Sequence, residues 1–558
     1  MRPHLGVRIA RITASAALVN ATMRGRAGAV THRNHVTDST LRRWRTVMIA
    51  LGASAALALS PLGIDSALAS TSSRLTVGLN PDRPNAVRLD SLTASTPPLT
   101  SIRNNSPLPF TLPSQAILKS SSKKVFAHYF TPYPISIDNK PAAQDYYDLQ
   151  YLNPTGESTK HAAYGGFLRE RPLPRPVDSS TNYMFNDMKT EVLRASNAGL
   201  DGFAVNMLSI TGHNWDRLKL LLQAAPQADP NFRIMIMPDS NGSGVTAGVD
   251  AFAAAMAGIV NDPAYNKSLF RLQDGRLVVS PFYPEKHGAA WWQDWLRIMK
   301  SRHGIDIAFV PCFLNYGANA TAFQSFSYGF SDWGNRNPAS NSNLAANITD
   351  AHDRGKKWMQ PVSVQDTRPS QAIYDEANNS ENLRITWKAA ISGADWVQIP
   401  TWNDYSENSQ ISPSTHIGWG PLNISSYYLT HYKTDAAPAI NRDVLYLSHR
   451  IQPHAAIPTG GQPSLMRLRT GGSPARDTVE VLSFLTAPAT ITVKIGDTIN
   501  TYSAPAGVFA KTYPLQAGKV SAVAVRNSTT IAEVISPFPA VQAPPVQDLN
   551  YYFSISNS

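Results

Sequence analysis

Asp395-Trp396-Val397-Gln398-Ile399-Pro400-Thr401-Trp402-Asn403-Asp404-Tyr405-Ser406-Glu407-Asn408 begins as a buried strand and ends in a cluster of aromatic, amide and carboxylate side chains. A strand edge running into a helix cap explains the pattern, and so does a strand that delivers polar groups to a site. The rest of the chain repeats the pattern. Short apolar runs at Val125–Phe130, Gly202–Leu208, Arg233–Asp239, Leu277–Tyr283, Ile307–Leu314, Tyr328–Trp333 and Trp358–Val364 precede Trp396–Thr401, and most end in polar or aromatic residues. Between them lie stretches of helical period, at Asp187–Ala195, Trp215–Ala225, Val249–Val260, Trp291–Arg302 and Leu383–Ile391. Strands apolar on both faces, alternating with amphipathic helices, predict a parallel sheet covered by helices. Eight such units predict an α/β fold, a (β/α)8 TIM barrel.

In that fold the carboxyl ends of the strands ring one mouth, where sites are built. His128-Tyr129, Asn206, Asp239, Tyr283, Asn315-Tyr316, Asp332-Trp333, Gln365-Asp366 and Asn403-Asp404 all fall at or just past those ends. Loops are polar in general, but that alone does not favour aromatics and amides so consistently. After about residue 440 the pattern changes to short alternating segments broken by Gly and Pro, at Thr478–Leu485, Ala489–Ile495, Thr498–Ser503, Val508–Pro514 and Val520–Arg526. These predict a C-terminal antiparallel β-sandwich domain.

The predicted organisation is a leader over 1–69, a Ser/Thr/Pro-rich linker over 70–122, the barrel over 123–438, the sandwich over 439–540 and a tail over 541–558. A chain of 558 residues with 43% hydrophobic residues supports two cores. Its formal charge of +11 is concentrated in the leader, where nine Arg and two Asp contribute +7. The remainder has no dense basic stripe, so nucleic-acid binding is discarded. Arg42-Arg43-Trp44-Arg45, the apolar run Val47–Leu59 and Ala67-Leu68-Ala69 read in order as a secretory signal cleaved near Ala69, giving an extracellular protein. That run is short for a bilayer and no later stretch does better, so no membrane anchor is expected in the mature form. The lone Cys312 sits in an apolar run and reads as a buried small hydrophobe.

No H-x-x-x-H, H-E-x-x-H, phosphate-loop or G-x-S-x-G pattern occurs, so neither a metal nor another cofactor is expected. What remains is hydrolysis by carboxylates, with 11 Trp and 21 Tyr to face sugar rings. His128, Tyr129, Asn206, Asp239, Tyr283, Asn315, Asp332, Trp333, Trp402, Asn403 and Tyr405 are the candidate substrate-binding residues, and Asp404 and Glu407 the candidate acids. Spacing alone leaves the two acids open as helix caps or Arg partners, and leaves retention and inversion open.

Five stretches resemble glycoside hydrolase family 71, the α-1,3-glucanases or mutanases: V-F-A-H-Y-F at 125–130, G-L-D-G-F-A-V-N at 199–206, I-M-I-M-P-D at 234–239, F-V-P-C-F at 309–313 and W-N-D-Y-S-E at 402–407. The resemblance spans about residues 123–530 and carries a barrel with a C-terminal β-sandwich. It implies inverting hydrolysis of α-1,3-glucan, with Glu407 as acid and Asp404 as base or the reverse; the protein is expected to act as a monomer. Family members carry W-N-D-Y-G-E, so Ser406 replaces a Gly, which questions the backbone angles there. Two rival readings stand beside it: a carbohydrate-binding surface protein that has lost catalysis, and a barrel hydrolase of another polysaccharide.

Overall fold

The computed structural model describes residues 108–556, which fall in one compact unit. The leader and most of the linker lie outside the described residues. The barrel sheet is built from β1 (Lys124–Tyr129), β2 (Gly202–Met207), β3 (Arg233–Pro238), β4 (Leu277–Val279), β5 (Ile307–Phe309), β6 (Cys312–Phe313), β7 (Gly329–Asp332) and β8 (Lys357–Pro361). The short β9 (Thr367–Arg368) and β10 (Ile373–Tyr374) follow, and β11 (Trp396–Ile399) completes the sheet. All its pairings are parallel, in the order β5-β4-β3-β2-β1-β11-β8-β7-β6. The two ends of that order are halves of one run, parted only by Val310 and Pro311. Pro311 has no N–H for the ladder, which accounts for the interruption. The result is a TIM-like barrel sheet.

Helices α1 (Gln115–Ser120), α2 (Tyr183–Asn197), α3 (Gly212–Ala228), α4 (Ser243–Thr246), α5 (Val249–Asn261), α6 (Ala289–His303), α7 (Tyr316–Phe323), α8 (Leu344–Asp353), α9 (Glu381–Ile391) and α10 (Gly420–Thr434) accompany the strands. Strand alternation sorts the core into two shells. Val125, Ala127, Phe203, Val205, Ile234, Ile236, Val397 and Ile399 pack in one cluster with helix residues such as Val192, Leu221, Phe252 and Trp387. The intervening Phe126, Ala204, Met235, Met237 and Trp396 join Phe282, Ala308 and Cys312 in a second cluster inside the sheet.

The chain then forms β12 (Val444–His449), β13 (Arg467–Leu468), β14 (Thr478–Leu485), β15 (Ala489–Ile495), β16 (Thr498–Ala504), β17 (Gly507–Pro514), β18 (Val520–Arg526), β19 (Thr529–Ile535) and β20 (Tyr552–Ile555). Two antiparallel four-stranded sheets result, ordered β17-β14-β12-β20 and β16-β15-β18-β19. Leu447, Val481, Ile491, Val493 and Ala522 from both sheets share one buried cluster.

Two segments are more ordered than their composition predicts. Phe110 is buried, bridges Ile440 and packs its edge on Tyr427, and α1 follows it, so the end of the Ser/Thr/Pro-rich stretch is part of the fold. The tail adds β20 beside β12. No helix among the described residues is long and apolar enough to cross a membrane.

Candidate active site

The segment after β11 forms a turn, not a helix, between Asp404 and Glu407. Its geometry is set by the acid itself. Asp404 Oδ1 accepts from the Ser406 backbone N–H at 3.0 Å, from Ser406 Oγ at 2.6 Å and from the Glu407 N–H at 3.2 Å. Three donors converge on one oxygen, and Oδ2 has no hydrogen bond among the described residues. Ser406 keeps an ordinary negative φ, so the position does not require glycine; the left-handed residue in the turn is Asn408, at φ +49°. Asn403 locks the turn onto the loop after β1 by accepting from the Phe130 N–H at 2.7 Å and donating to the carbonyls of Phe130 (3.0 Å) and Tyr133 (2.8 Å).

Glu407 faces a different environment. Arg368 Nη1 lies 2.8 Å from its Oε1, while the rest of that guanidinium forks onto Asp366, with Nε at 2.7 Å from Oδ1 and Nη2 at 2.5 Å from Oδ2. Asp366, Asp404 and Glu407 share two guanidinium groups, Arg368 and the buried Arg336. Full ionisation would leave one uncompensated negative charge in a buried site, so a proton is retained. Asp366 has the bidentate partner and stays below the usual carboxylate range despite its burial. Burial pushes Asp404 up, against the pull of Ser406, Arg368 and the turn N–H groups. Burial pushes Glu407 furthest, up to about 8, with Arg368 opposing and Asp404 and Asp366 reinforcing the shift. A 2.8 Å contact with arginine ordinarily marks an ionised acid; here that arginine is already claimed by Asp366, and the proton stays on Glu407. Arg368 Nη1 makes only an ion-pair contact with Glu407 Oε1, its hydrogen bond going to Gln371 Oε1 at 3.4 Å.

Around this pair the strand ends supply a second group. Asn206 Nδ2 donates to His128 Nε2 and to Asp239 Oδ2, both at 3.2 Å. His128 therefore accepts at Nε2, and burial with the nearby Arg336 pushes its pKa down to about 3, leaving a neutral ring whose proton is on Nδ1. Trp333 packs edge-on to His128 at 4.9 Å and against Phe282 at 4.7 Å, and the Arg336 guanidinium covers it at 5.2 Å. Burial pushes Asp332 up to about 6. His128 Nδ1, Asn206 Oδ1, Asp332 Oδ1 and Arg336 Nε and Nη2 are buried without a hydrogen bond among the described residues, Arg336 Nε lying 4.0 Å from Asp366 Oδ2. Such groups are costly alone and suit a ligand rich in hydroxyls. Tyr283 is half-buried beside Phe282 in a left-handed conformation, φ +53°.

Five of the predicted contact residues serve other purposes in this geometry. Tyr129 is adjacent to His128, so alternation turns it the other way, into the outer shell, where its hydroxyl meets Met188 Sδ. Trp402 is fully buried against Phe203 and donates to Glu191 Oε2 at 2.5 Å. Tyr405 packs on Tyr133 and bonds Ser412 Oγ. Asn403 is the brace described above. Asn315 is exposed and caps α7 by accepting from the Ala318 N–H at 3.2 Å. No group of three or more His, Cys, Asp or Glu among the described residues is placed to hold a metal ion.

The family model described as Glycosyl hydrolase family 71 matches residues 176–555. The chain belongs to glycosyl hydrolase family 71. It is 26% identical over 391 residues to a glucan endo-1,3-alpha-glucosidase of Schizosaccharomyces pombe, covering 65% of this chain and 88% of the relative. It is 25% identical over 386 residues to a mutanase of Penicillium rubens, covering 63% and 80% respectively. Among solved structures, a GH99 endo-alpha-mannosidase from Bacteroides thetaiotaomicron aligns with 56% of this chain and 97% of its own, at 13% identity and a TM-score of 0.44.

This family 71 glycoside hydrolase contains functional candidates that the strand-end pattern did not single out. Arg368 sits two residues past Asp366, itself a strand-end residue, and an acid and a base at that spacing near a barrel mouth were the available signal. Arg336 follows Trp333 by three residues. Tyr133 lies close enough to Asp404, Ser406 and Glu407 for their charges and hydrogen bonding to act on its hydroxyl.

Proposed function

We propose that this protein is a secreted, monomeric α-1,3-glucanase that cleaves its polysaccharide with inversion, on a closed (β/α)8 barrel followed by a β-sandwich. The observation that carries the reading is the asymmetry of the two acids: Asp404 accepts three hydrogen bonds on one oxygen, while Glu407 retains its proton beside a guanidinium already engaged by Asp366. The substrate class follows the names of the two relatives, and the secretion reading follows the order of charges and apolar residues in the leader.

Glu407 gives its proton to the glycosidic oxygen as that bond to the anomeric carbon breaks. Asp404 Oδ2 takes a proton from a water that attacks the same carbon from the opposite face. The leaving chain gains a free hydroxyl, the new reducing end takes the β configuration, Asp404 ends protonated and Glu407 ends ionised. Arg368 Nη1 is in place to stabilise the new carboxylate. His128 Nδ1–H, Asn206 Oδ1 and Asp332 Oδ1 bind sugar hydroxyls, and Trp333 presents an apolar face. Reducing-sugar release from a panel of α-1,3-, α-1,4-, α-1,6- and β-1,3-glucans tests the assignment. Hydrolysis of the α-1,3 polymer alone supports it; hydrolysis confined to another linkage reassigns the substrate, and none at all favours a binding protein.

A further inference from the structure

We infer that the C-terminal segment around Asn550 is a positioning element of the catalytic pair, tying together the two barrel segments that set Arg368 against Glu407. The inference rests on Asp404 and Glu407 being that pair.

Glu407 is followed by Asn408, whose left-handed backbone an asparagine tolerates. Its side chain turns toward the segment Asp366–Arg368. Asn408 Nδ2 donates to the Thr367 carbonyl at 2.8 Å, and the Thr367 N–H donates to the Glu407 carbonyl at 2.8 Å. Asn550 closes the arrangement by donating from Nδ2 to Asn408 Oδ1 at 3.0 Å and accepting at Oδ1 from Thr367 Oγ1. Asn408, Thr367 and Asn550 are all buried, so each amide and hydroxyl is committed to this ring and not shared with water. Thr367 is the residue between Asp366 and Arg368. Fixing it fixes the fork that holds Asp366 with two nitrogens and offers the third to Glu407.

The segment is anchored independently of the ring. The Asn550 N–H donates to Asp548 Oδ1 at 3.0 Å, the Tyr551 N–H to Gln365 Oε1 at 2.8 Å, and the Tyr551 hydroxyl to Glu376 Oε1 at 2.7 Å. β20 then joins the sheet beside β12. Packing alone could be achieved with apolar side chains; an amide that both donates and accepts between two segments sets their register as well. The charged and titratable groups facing Glu407 are Asp404 from its own turn, Arg368 and Asp366 from the segment after β8, and Arg336 from the loop after β7, with the Tyr133 hydroxyl from the loop after β1. Of these cations Arg368 is the one in contact, and Asn550 controls its placement.

The test uses the full chain, with Asn550→Ala, Asn550→Asp, Thr367→Val and the double variant Asn550→Ala/Thr367→Val. Rates on α-1,3-gluco-oligosaccharides are followed across pH beside thermal melting. The expected result is a fall in kcat of about 10- to 100-fold with KM changed little, as for a misplaced catalytic group. The alkaline limb moves upward as Glu407 loses its nearest cation. The double variant is no worse than the poorer single one, because both remove one ring. Asn550→Asp keeps the acceptor for Thr367 and falls between wild type and Asn550→Ala. If Asn550→Ala does not fold, Asn550→Asp and Thr367→Val carry the comparison. Lower melting temperatures with wild-type kcat, KM and pH limbs overturn the inference and leave the segment a structural strap. An active wild type beside kinetically unchanged variants removes only the role of Asn550, whereas a wild type that cleaves no glucan removes the catalytic reading itself.

Discussion

Ser406 replaces a glycine in the motif this chain resembles, and its hydroxyl supplies one of the three hydrogen bonds on Asp404 Oδ1. A bond to a charged group contributes about 1.5–3 kcal/mol, equivalent to roughly one to two pH units. Ser406→Gly keeps the turn, because both residues adopt the φ found there, but removes that stabilisation of the carboxylate. The acidic limb of the kcat/KM profile should therefore move up by about one unit while the alkaline limb, set by Glu407 near 8, stays in place. An unchanged acidic limb would detach Asp404 from the base role. Asp404→Asn and Glu407→Gln should each fold and lose about 10²–10⁴-fold in turnover, measured on the α-1,3 polymer. Asp404 and Glu407 could be singled out in the sequence only because a motif resembling the family's falls just past the last strand. Arg368 could not be, because its partnership with Glu407 depends on two loops meeting, which no local pattern records.

At the scale of elements, the barrel strands were readable because both faces are buried and the apolar runs are nearly continuous. Which side each residue faces was also available: His128 and Tyr129 are neighbours in one strand and cannot both look into the mouth. The aromatic richness of the motif pointed to stacking platforms, yet Trp402 and Tyr405 are spent on holding the turn. Trp402 couples it to α2 through Glu191, which burial pushes up to about 7 against the pull of Arg194 and Trp402. The sign follows from proton uptake: folded Glu191 keeps its proton to about pH 7, while the unfolded chain releases it near the ordinary glutamate value of 4.5. This stability is fully present below about 4.5 and lost as pH rises through about 7. Glu191→Gln, which still accepts from the indole, should remove part of that decline, on the order of 2–3 kcal/mol by pH 8. Glu170, also pushed up to about 7, contributes a decline of the same sign that persists in the variant. Melting temperatures measured from pH 4 to 9 check it; parallel curves for variant and wild type would contradict the assignment.

The whole molecule is joined by buried charge. Arg450 lies between the rings of Tyr374 and Tyr551, at 5.5 and 4.4 Å, and its Nη1 meets Glu376 at 2.9 Å. It follows β12, whereas Glu376 precedes α9, so this ion pair joins the C-terminal sheets to the barrel, as does the pair of Arg384 in α9 with Glu480 in β14 at 3.1 Å. Arg450→Met leaves Glu376 buried without its cation and should cost about 3–5 kcal/mol, with Glu376→Gln in the same chain recovering part of it. Wild type should melt in one transition by circular dichroism; two separated transitions would mean the sheets unfold on their own. Composition changes marked where the sheets begin, but not that the chain's end returns to β12 and to the loops beside Glu407. That return is a long-range pairing, and the Pro-rich stretch before it reads locally as a tail.

In the proposed mechanism Asp404 activates a water while Glu407 protonates the leaving oxygen. Proton NMR of the reaction with α-1,3-glucan, recorded in the first minutes before mutarotation, reads the configuration of the released sugar directly. The mechanism predicts the β-anomer first, as for inverting glycosidases, whose two carboxyl groups lie roughly 6.5–9.5 Å apart. An α-anomer as first product would contradict it and make one of the two acids a nucleophile.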